Sequence, residues 1–182
     1  MNAIRIHDGS HCRLDASGRT PAFFCLKKPL AVDVVTIAEL VAYAREKQTD
    51  VRLCLHEGPH ERFHDMIIAQ HKGGYHRPHK HADKGETWSL MQGAMAAFVF
   101  AADGTVTDAR RLDADGQFLY RVGDAQFHTL IPLSDIVVYH ESKPGPFTGP
   151  GDSEFATWAP DGKDPEAVEA YLNKLLSATG SE

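Results

Sequence analysis

Three histidines and one glutamate form the clearest chemical pattern in this chain. Residues 73–93 have the spacing G-x5-H-x-H-x4-E-x6-G, which places His79, His81 and Glu86 close together, and His128 follows downstream. Alternate side chains of a β-strand share a face, so we expect His79 and His81 to point the same way, with Cα atoms about 6.5–7 Å apart. The turn residues before Glu86 let the chain reverse and return a carboxylate. The sequence therefore predicts one divalent metal ion bound by these four side chains.

A set of three imidazoles and one carboxylate leaves coordination positions open to water or substrate, unlike a structural zinc site. Zn, Fe(II), Mn, Ni and Co all accept such donors, so the sequence does not select the ion. The alternative for His79 and His81 is an exposed polar strand face, which leaves the fixed distance to Glu86 unexplained. The alternative for His128 is a hydrogen-bonded core histidine, and the upstream motif favours the ligand role.

Composition limits the classes of partner. The chain has 182 residues, of which 42% are hydrophobic, enough to bury one core. A net charge of −6 argues against nucleic acid or a membrane surface as the partner. No run approaches the about 18 apolar residues of a membrane span, and the N-terminal residues lack the apolar stretch of a secretory signal. Three cysteines without C-x-x-C spacing favour a reducing, cytoplasmic location.

The hydrophobic pattern predicts many short strands and two helices. Apolar residues recur at helical spacing in 33–47, with Asp33 as the N-cap, and Pro165 opens a second helix to residue 176 after Asp164. Short extended pieces are predicted at 3–7 and 22–26. From residue 51 the period changes to two, which predicts strands at 51–56, 63–70, 76–81, 86–91, 94–101, 106–107, 118–122, 128–131 and 136–141. Turn signals between such strands indicate a sandwich or barrel rather than alternating βαβ units.

The spacing in residues 73–93 is the first motif of the cupins, and the chain resembles that superfamily. The second cupin motif, G-x5-P-x-G-x2-H-x3-N, is degraded. Gly123, Ala125 and Pro132 replace its proline, inner glycine and asparagine, and His128 is kept. A narrower resemblance, to the WbuC-type cupin fold metalloproteins, rests on the segments 53–56, 75–81, 123–130, 141–147 and 155–160.

The resemblance implies a mainly β protein, a cupin-type antiparallel jelly-roll β-barrel with one N-terminal and one C-terminal helix. It implies one metal in the barrel mouth, a link to bacterial surface-polysaccharide gene clusters, and a homodimer. We expect one structural domain in three parts. These are an N-terminal extension (1–50) with short strands and a helix at about 33–47, the barrel (51–160), and a C-terminal helix and tail (161–182).

Further candidate site residues lie on the strands predicted to line the barrel. Arg52 and His56 share one strand face, where they could bind a carboxylate, phosphate or sugar hydroxyl, or simply face solvent. Trp88 is two residues after Glu86, so the two side chains share one face of the predicted strand. Trp88 is therefore a candidate aromatic wall for a sugar ring, although core packing is the commoner use of tryptophan. Tyr75 flanks the ligands and is a third candidate for substrate binding.

Glu141 is the best candidate for a general base, and His56 is a second candidate catalytic residue. A buried carboxylate is costly unless it is paired, so Glu141, if it points inward, needs a cationic or hydrogen-bonding partner. Lys80 lies between His79 and His81 with the opposite parity, and its side chain should therefore point away from the ion.

Three functions are compatible with these residues. The first is a metal-dependent enzyme, isomerase-like or epimerase-like, acting on a sugar or sugar nucleotide, with an Fe(II) dioxygenase as a variant. The second is a non-catalytic module that binds a carbohydrate or acid through the metal. The third makes the metal structural, and the open coordination of the four-ligand set disfavours it. A small-molecule ligand is the expected partner in the first two.

Overall fold

A computed structural model of the protein describes residues 3–18 and 20–179. Residues 180–182 of the predicted tail, and residues 1, 2 and 19 of the predicted extension, lie outside the described residues. In the described part of the chain, the fold is mainly β, with two sheets and two α-helices. No helix in these ranges is long and apolar enough to cross a membrane.

The larger sheet contains seven strands within the described residues. Their spatial order is β1 (Cys12–Asp15), β2 (Ala22–Cys25), β3 (Val51–Cys54), β4 (Phe63–His71), β11 (Ile136–Pro144), β6 (Glu86–Gln92) and β9 (Leu119–Val122). The strands predicted at 22–26, 51–56, 63–70, 86–91, 118–122 and 136–141 are confirmed within a few residues. No strand forms at 3–7, where Ile4 instead donates its backbone N–H to Ala31.

The smaller sheet has five strands in the part of the chain that the structure describes. Their order is β12 (Glu154–Phe155), β5 (His79–Lys80), β10 (Phe127–Pro132), β7 (Ala94–Phe100) and β8 (Val106–Asp113). The strand predicted at 76–81 is reduced to two residues, because β5 pairs only with short stretches of β10 and β12. The strand predicted at 106–107 is longer than expected, since β8 pairs along the whole of β7.

The one parallel strand pair among the described residues joins the predicted N-terminal extension to the antiparallel strands that follow residue 50. Strands β2 and β3 run parallel, with Phe23 opposite Leu53, whereas the other pairs are antiparallel within the described ranges. Helix α1 (Val34–Lys47) connects these two strands, as a parallel pair requires a crossover connection. The described chain therefore contains one βαβ unit, and residues 12–25 extend the sheet that also contains β3, β4 and β11.

Both helices begin where the sequence predicts. Asp33 caps α1 by accepting the backbone N–H of Thr36 at 2.8 Å, and Arg5 pairs with Asp33 at 3.0 Å. Helix α2 (Pro165–Ser177) begins after Asp164, whose carboxylate accepts the backbone N–H groups of residues 166 and 167. Side-chain oxygens at these positions satisfy helix N–H groups that have no partner inside the helix.

Alternation along the strands produces three apolar layers. One lies between the two sheets and includes Phe24, Trp88 and Tyr139. A second packs α1 on the outer face of the large sheet, and a third packs α2 on the outer face of the small sheet. In β11, Val137 and Tyr139 face the space between the sheets, so the same alternation directs Glu141 and Lys143 inward as well.

Candidate metal centre

The four predicted ligands come together between the sheets. His79 lies on β5, directly opposite His128 on β10, and Glu86 begins β6 on the facing sheet. His81 follows β5. One nitrogen of each imidazole and one carboxylate oxygen of Glu86 all lie within 4.8 Å of one another. Among the described residues, this is the cluster whose donor atoms could hold a metal ion.

Backbone carbonyl groups fix the orientation of all three imidazole rings. Nδ1 lies 3.2 Å from the Arg77 oxygen in His79, 2.6 Å from the Asp152 oxygen in His81, and 2.8 Å from the Gln126 oxygen in His128. A carbonyl oxygen only accepts, so Nδ1 must donate in each ring. Nε2 of the neutral ring then keeps its lone pair, which is the arrangement that metal-binding histidines use.

The Nε2 atoms fit a bound cation. Those of His81 and His128 are buried. They face the Glu86 carboxylate at 3.5 and 3.0 Å. With Nδ1 donating to a carbonyl, each contact places two hydrogen-bond acceptors against each other, which is unfavourable unless a proton or a metal ion lies between their lone pairs. The donor set therefore suits a divalent ion.

Lys143 provides the positive charge beside the ligands. Its ammonium lies 3.3 Å from Glu86 and 3.2 Å from Glu141. Burial alone would raise the pKa of Glu86, but Lys143 and the hydrogen bonds with His128 and His81 hold that pKa well below its ordinary value. Burial alone would lower the pKa of Lys143, but Glu141 and Glu86 together raise it. Both groups are therefore ionised at neutral pH.

The first two histidines of the motif differ in protonation. Burial, with a smaller effect of His128, lowers the pKa of His79 to about 3, so this ring is neutral at ordinary pH. Burial also acts to lower the pKa of His81, but hydrogen bonding to Glu86 outweighs it and raises that pKa. In the absence of a metal, the contact with Glu86 thus favours the protonated form of His81.

Two neighbouring cavities that share lining residues adjoin the cluster. The inner chamber, of about 170 Å³, is lined by His79, Glu86 and His128 together with Arg52, Gln70, Trp88, Glu141 and Lys143. The outer cavity, of about 400 Å³, is lined by His79 and His81 together with Arg52, Cys54, His56, His64 and Lys143. Arg52, His79 and Lys143 line both, which places the candidate ligands next to space large enough for a small metabolite.

The structure brings most of the predicted cavity residues to these spaces. Arg52 and His56 share the inward face of the strand region as expected, and Glu141 is buried and paired with Lys143. Trp88 is 2% exposed, and its ring lies edge-on to His128 with centroids 5.7 Å apart. It contributes to both core packing and the inner chamber.

Tyr75 lies outside the two cavities. Its hydroxyl donates to the Pro160 carbonyl at 2.8 Å, and it lines a neighbouring cavity that His79 also borders. Burial raises the pKa of Tyr75 to about 12. Lys80 points away from the cluster, as its parity predicts, and pairs with Glu154 at 3.2 Å. A role of Tyr75 in substrate binding stays a prediction.

Four residues of the site were not found by sequence reasoning. Lys143 lies two residues after Glu141 on the same strand. Because alternate residues of a strand share a face, an inward Glu141 predicts an inward Lys143. His64 stacks on His56 with ring centroids 4.3 Å apart, and Gln70 accepts the hydroxyl of Tyr139. Asp152 lies in a loop and has no local pattern that connects it with the motif.

Asp152 belongs to a segment, residues 145–162, that we call the strap. Besides the His81 contact, the strap carbonyls of Ala156 and Pro160 accept hydrogen bonds from Arg77 and Tyr75. The Asp152 carboxylate pairs with Lys84 and is 4% exposed. The strap thus supports the motif strand from outside the ligand cluster.

Comparison with known proteins supports the fold. A family model described as a domain of unknown function (DUF6016) matches residues 32–112. No curated protein matches the sequence. The structural neighbours are cupin-fold proteins, and this likeness concerns the fold alone.

One neighbour is a capsular polysaccharide assembling protein, CapF, from Staphylococcus aureus. It is 14% identical, with a TM-score of 0.50 over 59% of this chain and 29% of that chain. A second neighbour is KdgF from Halomonas sp., which is 15% identical with a TM-score of 0.43, over 52% of this chain and 79% of that chain. A third is L-ribose isomerase from Cellulomonas parahominis, which is 17% identical with a TM-score of 0.45, over 53% of this chain and 59% of that chain. The match spans less than a third of CapF and concerns the fold alone.

Proposed function

We propose that the protein is a mononuclear metal-binding cupin that acts on a small polar metabolite, such as a sugar or sugar nucleotide. One observation carries the proposal: three imidazoles, each fixed through Nδ1 by a backbone carbonyl, present Nε2 together with the Glu86 carboxylate within 4.8 Å. His79, His81, Glu86 and His128 would hold the ion. When bound, a divalent ion supplies Lewis-acid polarisation of a carbonyl or hydroxyl oxygen.

The protein's own groups supply the remaining parts of an isomerase-like or epimerase-like reaction. Glu141 is a carboxylate on the wall of the inner chamber and is held by Lys143 at 3.2 Å, so it is the residue we assign to proton transfer. His56 lines the outer cavity, and burial lowers its pKa, so it enters the reaction as a neutral base.

Elemental analysis of protein purified without added metal tests the metal site. We expect about one transition-metal ion per chain in the wild type and in the surface control His60→Ala, and its loss in His128→Ala. A wild type that holds no ion and takes up none on titration would end the proposal. The same analysis identifies the metal, and redox-active iron would direct the search towards the dioxygenase variant.

Proton exchange tests the enzymatic role. The wild type is incubated with aldoses, ketoses and sugar nucleotides in D2O, and deuterium incorporation beside the carbonyl is followed by NMR. Glu141→Gln is expected to keep the metal and lose exchange. If a sugar binds but neither exchange nor product appears, the protein is a binding module instead.

The finer parts of the assignment rest on sequence resemblance. We propose that the two sheets are the halves of a cupin jelly roll and that the protein is of the WbuC type, connected with surface-polysaccharide metabolism. A cytoplasmic homodimer is proposed on the same basis. Size-exclusion chromatography with light scattering tests the dimer.

A further inference from the structure

The inner chamber has a surplus of hydrogen-bond donors. Three residues that line it carry a buried side-chain N–H for which the described residues supply no partner: Nε of Arg52, Nε2 of Gln70 and Nε1 of Trp88. Gln70 is 0% and Trp88 2% exposed, so both side chains are buried. Buried donors are normally paired, and three unpaired donors around one small space point to an absent group that accepts hydrogen bonds.

The charge of the chamber selects an anion. Two side-chain cations line it, Arg52 and Lys143, and three carboxylates, Asp50, Glu86 and Glu141. The carboxylates are occupied, since Lys143 pairs with Glu86 and Glu141, and Asp50 accepts the backbone N–H of His71 at 2.8 Å. A bound divalent ion therefore leaves one positive charge uncompensated. A single negative charge neutralises it, which favours a carboxylate over a phosphate monoester of charge about −1.5 to −2.

Size agrees with this choice. The chamber of about 170 Å³ corresponds to roughly five or six water volumes, at about 30 Å³ each. That volume admits a carboxylate and a few attached atoms, while the rest of a larger molecule extends into the outer cavity of about 400 Å³. Arg52 borders both spaces, and its guanidinium makes a long contact of 3.4 Å to the Thr20 carbonyl.

We propose that the inner chamber is a carboxylate-binding subsite and that the substrate is an acid, a sugar acid rather than a neutral sugar. One carboxylate oxygen lies towards the metal ligands, and the other accepts from Arg52, with Trp88 and Gln70 as further donors. Charge-assisted hydrogen bonds to the guanidinium make such a site bind a carboxylate in preference to a neutral hydroxyl. This inference rests on the proposed metal-binding function.

The test uses the full chain loaded with one equivalent of Co(II), whose visible spectrum reports on its ligands. Glycolate, ethylene glycol and inorganic phosphate are titrated by calorimetry and by absorption. Glycolate and ethylene glycol are matched in size and differ in the carboxylate. We expect glycolate to bind at least about tenfold more tightly than ethylene glycol and to change the spectrum, in line with a hydrogen bond to a charged group.

Arg52→Gln is expected to keep one Co(II) per chain and to weaken glycolate binding about tenfold or more. Arg111→Gln, whose side chain is 59% exposed, is the control and should behave as the wild type. Equal binding of the two probes, tighter binding of phosphate, or unchanged glycolate binding in Arg52→Gln would overturn the carboxylate assignment while leaving the metal site in place. Failure of the wild type to bind Co(II) would instead overturn the proposed function.

Discussion

At the scale of single residues, His79 and His81 have pKa values shifted in opposite directions although they are two positions apart. The pKa of His79 falls to about 3 through burial, whereas that of His81 is raised by its hydrogen bond to Glu86 despite burial. A protonated imidazole cannot bind a metal, so binding must release the proton of His81 and none from His79. Zinc affinity should therefore decrease as the pH falls through the raised pKa of His81.

Calorimetry at pH 6 in two buffers of different ionisation enthalpy measures this proton release. We expect about one proton per zinc ion, with affinity falling about tenfold per pH unit below the pKa of His81. NMR titration of the metal-free protein should assign the protonated ring to His81 and a neutral ring to His79. Metal binding without proton release at pH 6 would contradict the raised pKa.

The residues that sequence could predict are those whose chemistry is local. The spacing of His79, His81 and Glu86 is contained in 21 residues, so the motif reveals it without knowledge of the fold. Lys143 reaches Glu86 only because β11 lies beside β6, with Glu141 opposite Trp88. That register depends on the packing of whole strands, and the ion pair across it is therefore not visible in either segment alone.

At the scale of elements, the strap (residues 145–162) orients the motif strand. Asp152 accepts from His81 through its carbonyl, and its carboxylate pairs with Lys84 and contacts Thr148 at 3.2 Å. Asp152→Ala keeps the carbonyl but removes the side-chain contacts that position it. Because groups that orient metal-binding histidines typically affect affinity by about 10–100-fold, we expect a zinc affinity lower by that factor with unchanged far-UV circular dichroism.

Asp161→Ala is the matched control, since Asp161 also lies in the strap but is 45% exposed and pairs with Lys163 on the surface. Its zinc affinity should equal that of the wild type. Equal losses of zinc affinity in both variants would mean that any change in the strap weakens binding, without a specific role of Asp152. An unchanged zinc affinity in Asp152→Ala would show that the strap does not contribute to the metal site.

The sequence predicts those elements that carry a hydrophobic period over many residues. It does not predict features that depend on which strands pair in the sheets. The 3.6-residue period and the capping residues located both helices, and alternation located most of the long strands. The parallel arrangement of β2 and β3 follows from the path of α1 across the sheet, which no local pattern contains. The length of β5 likewise depends on its short partners.

At the scale of the whole molecule, the N-terminal segment is part of the core. Phe23 on β2 is 3% exposed and packs edge-to-face on Tyr43 of α1, with ring centroids 5.0 Å apart. Phe23→Ala is therefore expected to lower the free energy of unfolding by about 3–5 kcal/mol, measured by urea denaturation. Leu14→Ala, on the adjacent β1 but 44% exposed, should change it by less than about 1 kcal/mol. Similar small effects of both would show that the segment is dispensable.

Metal binding should stabilise the entire fold, because the four ligands join the two sheets. His79 and His128 belong to the small sheet and Glu86 to the large one, and without a cation Nε2 of His128 faces the Glu86 oxygen at 3.0 Å. A ligand at 100 times its Kd stabilises the native state by about 2.7 kcal/mol, which corresponds to a rise in Tm of roughly 5–10 °C for a chain of this size. Calorimetry with zinc should show this rise in the wild type and in His60→Ala but not in His128→Ala. If His128→Ala gained the same increase, the ion would be bound elsewhere, and the sheets would not be joined through these ligands.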